Sequence, residues 1–597
     1  MNTKPILYSL EPFDPAGHRF RATITIPTPS PKGQVVSLPA WIPGSYLVRD
    51  FARQIETIEG RAGNKKIAMT KIGNHSWRAE ACSGALTVTT TVYAFDLSVR
   101  GAHLDQSHAF FNGTSVFLRA NGHEDLPCKL MLIPPPKPLR WSVFTSLPIA
   151  GKGTSERVRT KALHNFGTYK AENYDALIDH PIEMGTPQVA TFKACGAPHE
   201  LVFTGNIPNL DIKRITRDVK KICEAQIRFF EPQTHLAPFL DSASHYVFMT
   251  IVTGDSYGGL EHRASTALMA SRKDLPIIGQ DKTPAGYETF LGLVSHEYFH
   301  TWHVKRIKPA VFAPYDLTRE THTRLLWIFE GFTSYYDDLM LLRSGVINLQ
   351  TYLSILGRQI SSVIGAPGRH KQSVADSSFD AWTRYYKQDE NSPNALVSYY
   401  TKGSLIALGL DLTIRHETCD QYSLDDVMRL LWHRYGRDFY QGAGRGLPEQ
   451  EFVRLVREAC GVDVSSALKQ WVHGTEDVPL KKLFARQGIA LNFKASSKLP
   501  SLDVRVRKQG DSLVLATVLE HGAAHQAGLS AMDALVAIDG LRVDGSAAQL
   551  DSLLERYQPG DTVTIHAFRR DELLQFKVRL AAPAALTCEL SEIANKS

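Results

Sequence analysis

The stretch from Val294 to His303 most constrains how this chain can fold. His296 and His300 are four positions apart, so on a helix they share one face and both imidazoles can reach one metal ion. Glu297 follows the first histidine, where its carboxylate can polarise a water bound to that metal. The stretch therefore predicts a helix that carries a zinc site. Because a motif of five residues also occurs by chance, this prediction depends on the rest of the sequence.

A catalytic zinc ion needs three protein ligands and one open position for water. Glu330, thirty positions after His300, is the best candidate for the third ligand. It lies in an apolar, aromatic segment, where a carboxylate is costly to bury unless it is paired or binds a metal. The alternative is a partly exposed glutamate at the start of a helix. Asp337 lies on the same helical face two turns later, either as a partner that orients a histidine ligand or as an ordinary solvated aspartate.

Hydrolysis at such a metal needs a proton acceptor and a donor for the developing oxyanion. Glu297 can accept the proton of the attacking water. Tyr400, in the segment from Ser398 to Ser404, is a candidate for the second oxyanion donor. A lone tyrosine is more often a core or surface residue, so this role depends on further context.

A glycine-rich segment precedes the histidine motif. Gly258 and Gly259 allow a tight turn or the close approach of another backbone. Glu261 lies 35 positions before His296, and a carboxylate at the edge of a peptide-binding cleft can hold a substrate's α-ammonium group. Such a contact would fix cleavage one residue from the N-terminus. The alternative is a structural salt bridge between Glu261 and Arg263 or another neighbour.

Composition excludes several classes of protein. The chain has 597 residues, of which 43% are hydrophobic and 21% charged, so global disorder is not expected. The net charge of +6 comes without a run of Lys and Arg, which favours a mixed solvated surface over nucleic-acid binding. We expect no membrane span and no signal peptide. The seven dispersed cysteines include no CxxC pair and suggest buried free thiols, so the expected location is the cytoplasm.

Periodicity divides the chain into four parts. Residues 1–170 alternate apolar and polar side chains and predict an antiparallel β domain, most simply a sandwich. Residues 171–345 mix strands with helices, including helices over 212–230, 284–300 and 325–342, and form the catalytic part. Residues 346–483 have helical patterns, and residues 484–597 form a separate unit with a tail. The fold class is therefore multidomain α+β.

Two segments have distinctive local sequences. Gly522–Leu529, followed by Asp533 and Ile538–Gly540, is similar to the PDZ domains of bacterial proteases. Trp41–Tyr46 is an aromatic turn inside the β domain, and its sequence fits either a structural corner or a substrate-facing loop.

HExxH followed at a distance by Glu-Gly-Phe resembles the gluzincin metallopeptidases, which include thermolysin and aminopeptidase N. The whole chain resembles the glycyl aminopeptidase family, family sixty-one of the metallopeptidases. The matching stretches, which span nearly the full length, are Trp41–Arg53, Tyr174–Gly185, Gly258–His262, His296–Pro309, Trp327–Tyr336 and the terminal PDZ unit.

The resemblance implies an N-terminal β-sandwich-like domain, a thermolysin-like zinc catalytic domain with a helical extension, and a C-terminal PDZ domain. It implies one Zn²⁺ per chain, bound by His296, His300 and Glu330, with Glu297 as the general base. Asp337 fits an acidic residue that recurs seven positions after the ligand glutamate in the relatives.

The resemblance also suggests how substrate is held. Gly258–His262 stands where aminopeptidase N relatives carry Gly-x-Met-Glu-Asn, which makes Glu261 the anchor for the α-amine. The chain departs from that pattern, because His262 replaces the asparagine. Tyr400 matches the tyrosine of Tyr-x-Lys-Gly that stabilises the transition state in the relatives, with Tyr399 as the alternative.

These implications predict a zinc aminopeptidase that releases N-terminal residues from peptides, with a preference for small residues such as Gly or Ala suggested by the family name. The expected partners are peptides with a free N-terminus and, at the PDZ domain, a peptide C-terminus, with neither nucleic acid nor membrane. One alternative is a zinc endopeptidase whose substrates are recruited by the PDZ domain. Another is a peptide-binding scaffold without catalysis.

Overall fold

The computed structural model describes residues 4–150, 163–280, 282–442 and 444–593. The chain forms two compact units, each of which collects separate segments. The first unit comprises Met1–Thr321, Tyr336–Ile347 and Met428–Pro448, and the second comprises His322–Tyr335, Asn348–Val427 and Glu449–Ser597. The elements of both units confirm the predicted multidomain mixture of helices and sheets.

The first unit begins with a seven-stranded sheet. Its neighbouring strands are antiparallel, apart from one parallel pair, Ile6–Asp14 with Cys128–Leu132. In the strand Arg19–Ile26 every second side chain is buried, as expected for a sheet with one face on the core. The strands, in spatial order, are Gly167–Ala171, Cys128–Leu132, Ile6–Asp14, Arg19–Ile26, Leu86–Tyr93, Ile55–Ala62 and Lys65–Ile67.

Two four-stranded sheets complete this β-rich part. One has the order Ser142–Phe144, Ile182–Gly185, Ala109–Phe111 and Ala102–Leu104. The other has the order Arg119–Ala120, Val35–Ser37, Ser76–Ala79 and Met69–Gly73.

A five-stranded mixed sheet carries the edge on which the candidate site is built. Tyr246–Thr253 is its central strand, pairs in parallel with both neighbours, and is apolar and buried almost throughout. Gly258–Glu261, which we call the edge strand, has a single antiparallel neighbour. The order is Gln188–Ala194, Ala197–Thr204, Tyr246–Thr253, Ser265–Ser271 and Gly258–Glu261.

The helix that carries the histidine motif, which we call the metal helix, spans Tyr287–Phe299. It begins three residues later than predicted, because Pro284 lies in a turn whose carbonyl accepts a hydrogen bond from the Tyr287 N–H (3.1 Å). It packs on the helix Ile212–Phe230, which has the predicted bounds. Gln226 of that helix donates from Nε2 to the carbonyl and the hydroxyl of Ser295, both at 2.9 Å, and so fixes the position of the metal helix.

The other helical segments of the first unit are short. They are the α-helices Gly113–Val116 and Tyr174–Ile178, the 3-10 turns Phe51–Gln54, Pro238–Asp241, Arg272–Asp274 and Ala310–Phe312, and the π-turn Trp432–Gly436. Two α-helices, Gly331–Arg343 and Leu424–Leu431, contain residues of both units.

Helices dominate residues 322–486 of the second unit, as the sequence predicts. The α-helices are Leu326–Phe329, Leu349–Ile364, Val374–Phe379, Ser392–Ala395, Thr401–Glu417, Phe452–Cys460, Ser465–Leu468 and Leu480–Arg486. The 3-10 turn Pro367–His370 and the π-turns Ala381–Tyr385 and Lys469–His473 lie between them.

The helix predicted over 325–342 is interrupted at Glu330. Leu326–Phe329 ends before this residue and Gly331–Arg343 begins after it. The break occurs where Gly331 approaches Gly403 so closely that a Cβ at Gly331 would lie 2.6 Å from the Gly403 Cα. Only glycine permits two backbones to meet at this distance.

The C-terminal part of the second unit contains a small β domain. Its strands are Val504–Gln509, Ser512–Val518, Ala534–Ile538, Thr562–Arg569 and Glu572–Arg579, with Leu541–Arg542 beside the third. The helices Ala523–Gln526 and Ala547–Leu554 complete it, and residues of both helices join its apolar core.

This β domain is fixed to the helical part of the same unit. Asn394 donates from Nδ2 to the Val518 carbonyl (2.9 Å) and accepts from the Glu520 N–H (3.0 Å). Glu520 also forms an ion pair with Lys371. The strand Ile489–Lys494 precedes the domain in sequence and pairs with the strand Thr587–Glu592, which follows it. The N–H of Cys588, in the second of these strands, donates to Ser361 Oγ (2.8 Å).

All seven cysteines are free thiols, but only four of them are buried. Of the helices in the described ranges, none combines the length and the apolar character that crossing a membrane requires.

Candidate metal centre

The two motif histidines of the metal helix point at a common position. His296 Nε2 and His300 Nε2 are 3.0 Å apart. A tetrahedral zinc ion bound to two imidazoles holds their nitrogens about 3.3 Å apart. The spacing of the two side chains therefore suits one shared metal ion.

The other nitrogen of each imidazole, Nδ1, is hydrogen-bonded to an oxygen. His296 Nδ1 is 2.9 Å from Asp337 Oδ2, and His300 Nδ1 is 2.7 Å from the carbonyl of His303. With the proton on Nδ1 donated to these oxygens, Nε2 of each ring keeps its lone pair for a metal. Burial raises the pKa of Asp337, whereas the hydrogen bond from His296 opposes that rise.

Glu330 supplies a third possible ligand. Its side chain is only 2% exposed, although it is a carboxylate among apolar residues. Together with His296 and His300, it completes the ligand set that the sequence predicts. Two imidazole nitrogens and one carboxylate oxygen are a donor set that zinc prefers in hydrolytic sites.

The close approach of Gly331 and Gly403 also places the tyrosine motif near Glu330. Tyr400 is the residue before the helix Thr401–Glu417, three positions ahead of Gly403. A Cβ at Gly331 would lie 3.0 Å from the carbonyl of Tyr399. The glycines of the Glu-Gly and Lys-Gly pairs therefore bring both motifs together through backbone contact.

Tyr400 belongs to a cluster of four tyrosines. Its hydroxyl is 3.2 Å from that of Tyr386, and its ring stacks on Tyr399 and Tyr385. Burial raises the pKa of Tyr399 and of Tyr385, and the nearby charge of Glu330 adds to the rise. Tyr399 is fully enclosed, whereas Tyr400 is partly exposed and can reach a ligand.

Glu261, at the end of the edge strand, is a buried carboxylate with spare acceptor capacity. It is 3% exposed, and its Oε1 has no hydrogen-bond partner in the described part of the chain. Its ligand atom lies within 4.8 Å of those of Glu297 and His300. Two buried carboxylates so close together favour a cation between them.

The salt bridge that the sequence left open for Glu261 is made elsewhere. Arg263 pairs with Asp175 and Asp179, and no ion pair joins it to Glu261 within the ranges described. His262, predicted to contact substrate, is buried and has its Nδ1 3.1 Å from Asp179 Oδ1. Burial opposes ionisation of Asp179, but Lys305, followed by His262 and Arg263, holds its pKa well below the usual range.

The two glycines of the edge strand differ in what surrounds them. A Cβ at Gly259 would lie 2.0 Å from Glu297 Oε1, so glycine is required for the carboxylate to reach its position. A Cβ at Gly258 would meet nothing closer than Arg100 Nη1 at 3.9 Å. Gly259 therefore makes room for Glu297, and Gly258 leaves open space along the edge strand.

Gly44, in the aromatic turn Trp41–Tyr46, is a residue that sequence reasoning missed. It has φ +90°, and a Cβ there would lie 2.4 Å from Glu261 Oε2. The Ser45 N–H donates to the Ile42 carbonyl (3.1 Å) and closes the turn. The Pro-Gly pair predicts such a turn, but only the fold shows that it packs against the Glu261 carboxylate.

Three family models match the chain. Residues 7–186 match the Peptidase M61 N-terminal domain, residues 289–406 match M61 glycyl aminopeptidase, and residues 500–580 match a PDZ domain. These matches confirm the family and the C-terminal PDZ domain expected from the sequence.

Solved structures include a similar protein over almost the full length. The crystal structure of an aminopeptidase N family protein from Idiomarina loihiensis has 40% sequence identity, covers 98% of each chain and superposes with a TM-score of 0.91. An M1 zinc metallopeptidase from Deinococcus radiodurans has 14% identity, covers 80% of this chain and 95% of its own, and has a TM-score of 0.45. A search of curated proteins found no match.

Replacing Asp337 with asparagine tests the bond to His296. In Asp337→Asn the amide is a weaker acceptor for the Nδ1 proton, so we expect zinc affinity to fall by about 10- to 100-fold. Competition with a chromophoric chelator measures this affinity. Asp338→Asn, which changes the next and similarly half-buried carboxylate, should leave it unchanged. Equal losses in the two variants would contradict the orienting role of Asp337.

Proposed function

The chain belongs to the M61 glycyl aminopeptidase family and is a metallopeptidase, and we propose that it releases single residues from the free N-terminus of peptides with the help of one zinc ion. His296, His300 and Glu330 hold the zinc, which when bound supplies a Lewis acid and lowers the pKa of water. One observation carries the proposal: Glu261, close to Glu297, presents a buried carboxylate oxygen that has no hydrogen-bond partner among the residues that the structure describes.

Glu297 is the general base. Its carboxylate is buried against Gly259 and adjoins His300, so it can accept the proton of the attacking water. The same carboxylate then passes that proton to the amine that leaves. Burial strengthens this role, because little bulk water competes for the carboxylate.

Glu261 determines where the peptide is cut. A buried carboxylate with an unsatisfied oxygen binds an α-ammonium group by charge-assisted hydrogen bonds. The nitrogen and the carbonyl carbon of one residue are only about 2.5 Å apart. Since the ligand atoms of Glu261 and Glu297 lie within 4.8 Å of each other, there is room for one residue between the anchored amine and the bond that is hydrolysed.

The edge strand aligns the rest of the substrate. Among the described strands, Gly258–Glu261 has a neighbour on one side only, so the N–H and C=O groups of its other side can pair with an extended peptide. Gly258 leaves space beside that edge. A peptide added there as a further strand presents its backbone, and the alignment does not depend on its sequence.

Tyr400 donates its hydroxyl to the oxyanion of the transition state. The support for this role is its partial exposure, its position beside the Glu330 helix break and the match to Tyr-x-Lys-Gly. Tyr399, the alternative, is fully buried.

The preference for a small N-terminal residue such as Gly or Ala rests on the family description. A panel of aminoacyl amides would rank the N-terminal residues. The PDZ domain is proposed to bind a peptide C-terminus, which allows the alternative of an endopeptidase that cleaves recruited chains.

Glu297→Gln should abolish turnover and leave zinc bound. Glutamine has a similar shape but cannot accept the proton, so we expect a loss of at least about 10²- to 10⁴-fold in kcat. Activity assays together with metal analysis measure both properties. Near-normal turnover in this variant would eliminate Glu297 as the base.

Gly259→Ala should displace Glu297 without removing it. Because a Cβ would lie 2.0 Å from Oε1, the carboxylate must move, and we expect kcat to fall about 10- to 100-fold with zinc retained. Gly258→Ala is the comparison variant. Its Cβ would approach only Arg100 Nη1, at 3.9 Å, so Glu297 is not displaced and kcat should stay close to wild type, even if KM for peptides rises. If both variants lost activity equally, Gly259 would not act by making room for the base.

Glu261→Gln and N-acetylated peptides together test the anchor. Loss of the carboxylate charge should lower kcat/KM for peptides with a free N-terminus by about 10- to 100-fold, because a hydrogen bond to a charged group contributes about 1.5–3 kcal/mol. The wild-type protein should cleave the acetylated forms poorly. Equal cleavage of free and acetylated peptides by the wild type would favour the endopeptidase and overturn the anchor.

A further inference from the structure

A second cluster of metal-binding side chains lies in the N-terminal β domain. His103 belongs to the strand Ala102–Leu104, His108 immediately precedes the strand Ala109–Phe111, and Asp105 lies in the turn that joins these strands. We propose that His103, Asp105 and His108 bind a second divalent metal ion, with zinc as the fitting metal. The cluster shares no residue with the centre around His296.

The three side chains converge. Their ligand atoms lie within 4.8 Å of one another. The imidazoles of His103 and His108 have centroids 5.0 Å apart, and His103 Nε2 is 3.2 Å from Asp105 Oδ2. Two imidazoles and one carboxylate form the donor set expected of a zinc site with room for water.

Asp105 is held in place before any metal binds. Its Oδ1 accepts hydrogen bonds from the Ser107 N–H (2.6 Å), the Ser107 hydroxyl (2.5 Å) and the His108 N–H (3.0 Å). These three bonds fix the carboxylate, with its Oδ2 directed toward His103 Nε2 at 3.2 Å.

His108 is held in the way that metal-binding histidines are held. Its Nδ1 is 3.0 Å from Glu183 Oε1, and Glu183 also accepts a hydrogen bond from the Thr204 hydroxyl (2.9 Å). A carboxylate on Nδ1 leaves Nε2 free for a metal and makes it a better ligand. Glu183 thus accepts a hydrogen bond from His108 Nδ1 in the same way that Asp337 accepts one from His296 Nδ1.

The hydrogen bonds within the cluster do not account for the burial of His103. Its side chain is only 6% exposed, yet its Nδ1 has no hydrogen-bond partner in the described residues. Its ring stacks on Phe95 at 5.5 Å, so the position is fixed by packing. The ring is therefore fixed with its Nε2 directed at Asp105 Oδ2, on the side where the metal ion would bind.

The contacts around the site suit a structural role. Glu183 belongs to a strand of the four-stranded sheet and Thr204 ends a strand of the five-stranded sheet. A metal ion bound to His108 would therefore stabilise the hydrogen bonds from His108 and Thr204 to Glu183, which link the two sheets. Because the side chain of Asp105 is 35% exposed, the ion can exchange with solvent.

Metal analysis of the full-length protein tests the proposal. After equilibration with micromolar free zinc, the wild type should hold two zinc ions and Asp105→Asn one, because asparagine can keep the turn but lacks the charge. Asp125→Asn, which changes an exposed aspartate of the same domain, is the control and should hold as much zinc as the wild type. Zinc should raise the thermal midpoint less in Asp105→Asn than in the wild type, while the initial rate of peptide hydrolysis stays unchanged.

Equal zinc content in the wild type and in Asp105→Asn would overturn the site. His300→Ala separates this result from a failure at the catalytic centre, since it should lose one zinc ion and keep the one at His103 and His108. A different outcome is a wild type with a single ion that Asp105→Asn loses and His300→Ala keeps. That result would support the site at His103 and His108 and contradict zinc binding at the catalytic centre. His108→Asn, with its fold checked by circular dichroism, repeats the test should Asp105→Asn not fold.

Discussion

The candidate active site depends on the hydrogen bonds made by the outer nitrogens of two imidazoles. His296 and His300 could rotate about their side-chain bonds, and free rings would point their Nε2 atoms in many directions. Asp337 and the carbonyl of His303 hold the Nδ1 protons, so both rings have one tautomer and one orientation. The site is therefore organised by the fold before zinc binds. The free energy of zinc binding is then not reduced by the conformational entropy of ordering the ligands.

The acidic residues of the site show what a buried charge requires. Asp179 is surrounded by His262, Arg263 and Lys305, and its ionised form is stabilised within the protein. Glu261 is 3% exposed, and its Oε1 has no hydrogen-bond partner among the described residues. A carboxylate of this kind is costly unless a ligand completes its hydrogen bonds. Asp179 thus has the surroundings of a structural charge, whereas those of Glu261 suit the substrate-binding role proposed for it.

The sequence predicted those parts of the fold that depend on local patterns. A period of two residues predicts the strand over 19–26, and a period of 3.6 residues predicts the helix over 212–230. The spacing of four residues between two histidines predicts the helix of the zinc motif. The structure contains all three elements. The break at Glu330 was not predicted, because it arises where Gly331 meets Gly403, a residue far away in sequence. The contact of Gly44 with Glu261 was missed for the same reason. Local patterns report which element forms, whereas close backbone contacts are decided by the packing of distant segments.

The two metal clusters suggest why one centre would be hydrolytic and the other structural. Both have a histidine whose Nδ1 is held by a buried carboxylate, Asp337 on His296 and Glu183 on His108. Around the catalytic centre, Gly259 gives Glu297 access to the metal position, and the edge strand leaves a free side for a peptide. The hairpin of His103 and His108 is packed into a sheet. In the two proposed centres, the chemistry would therefore depend less on the ligands than on whether glycines and a sheet edge admit a base and a substrate beside them.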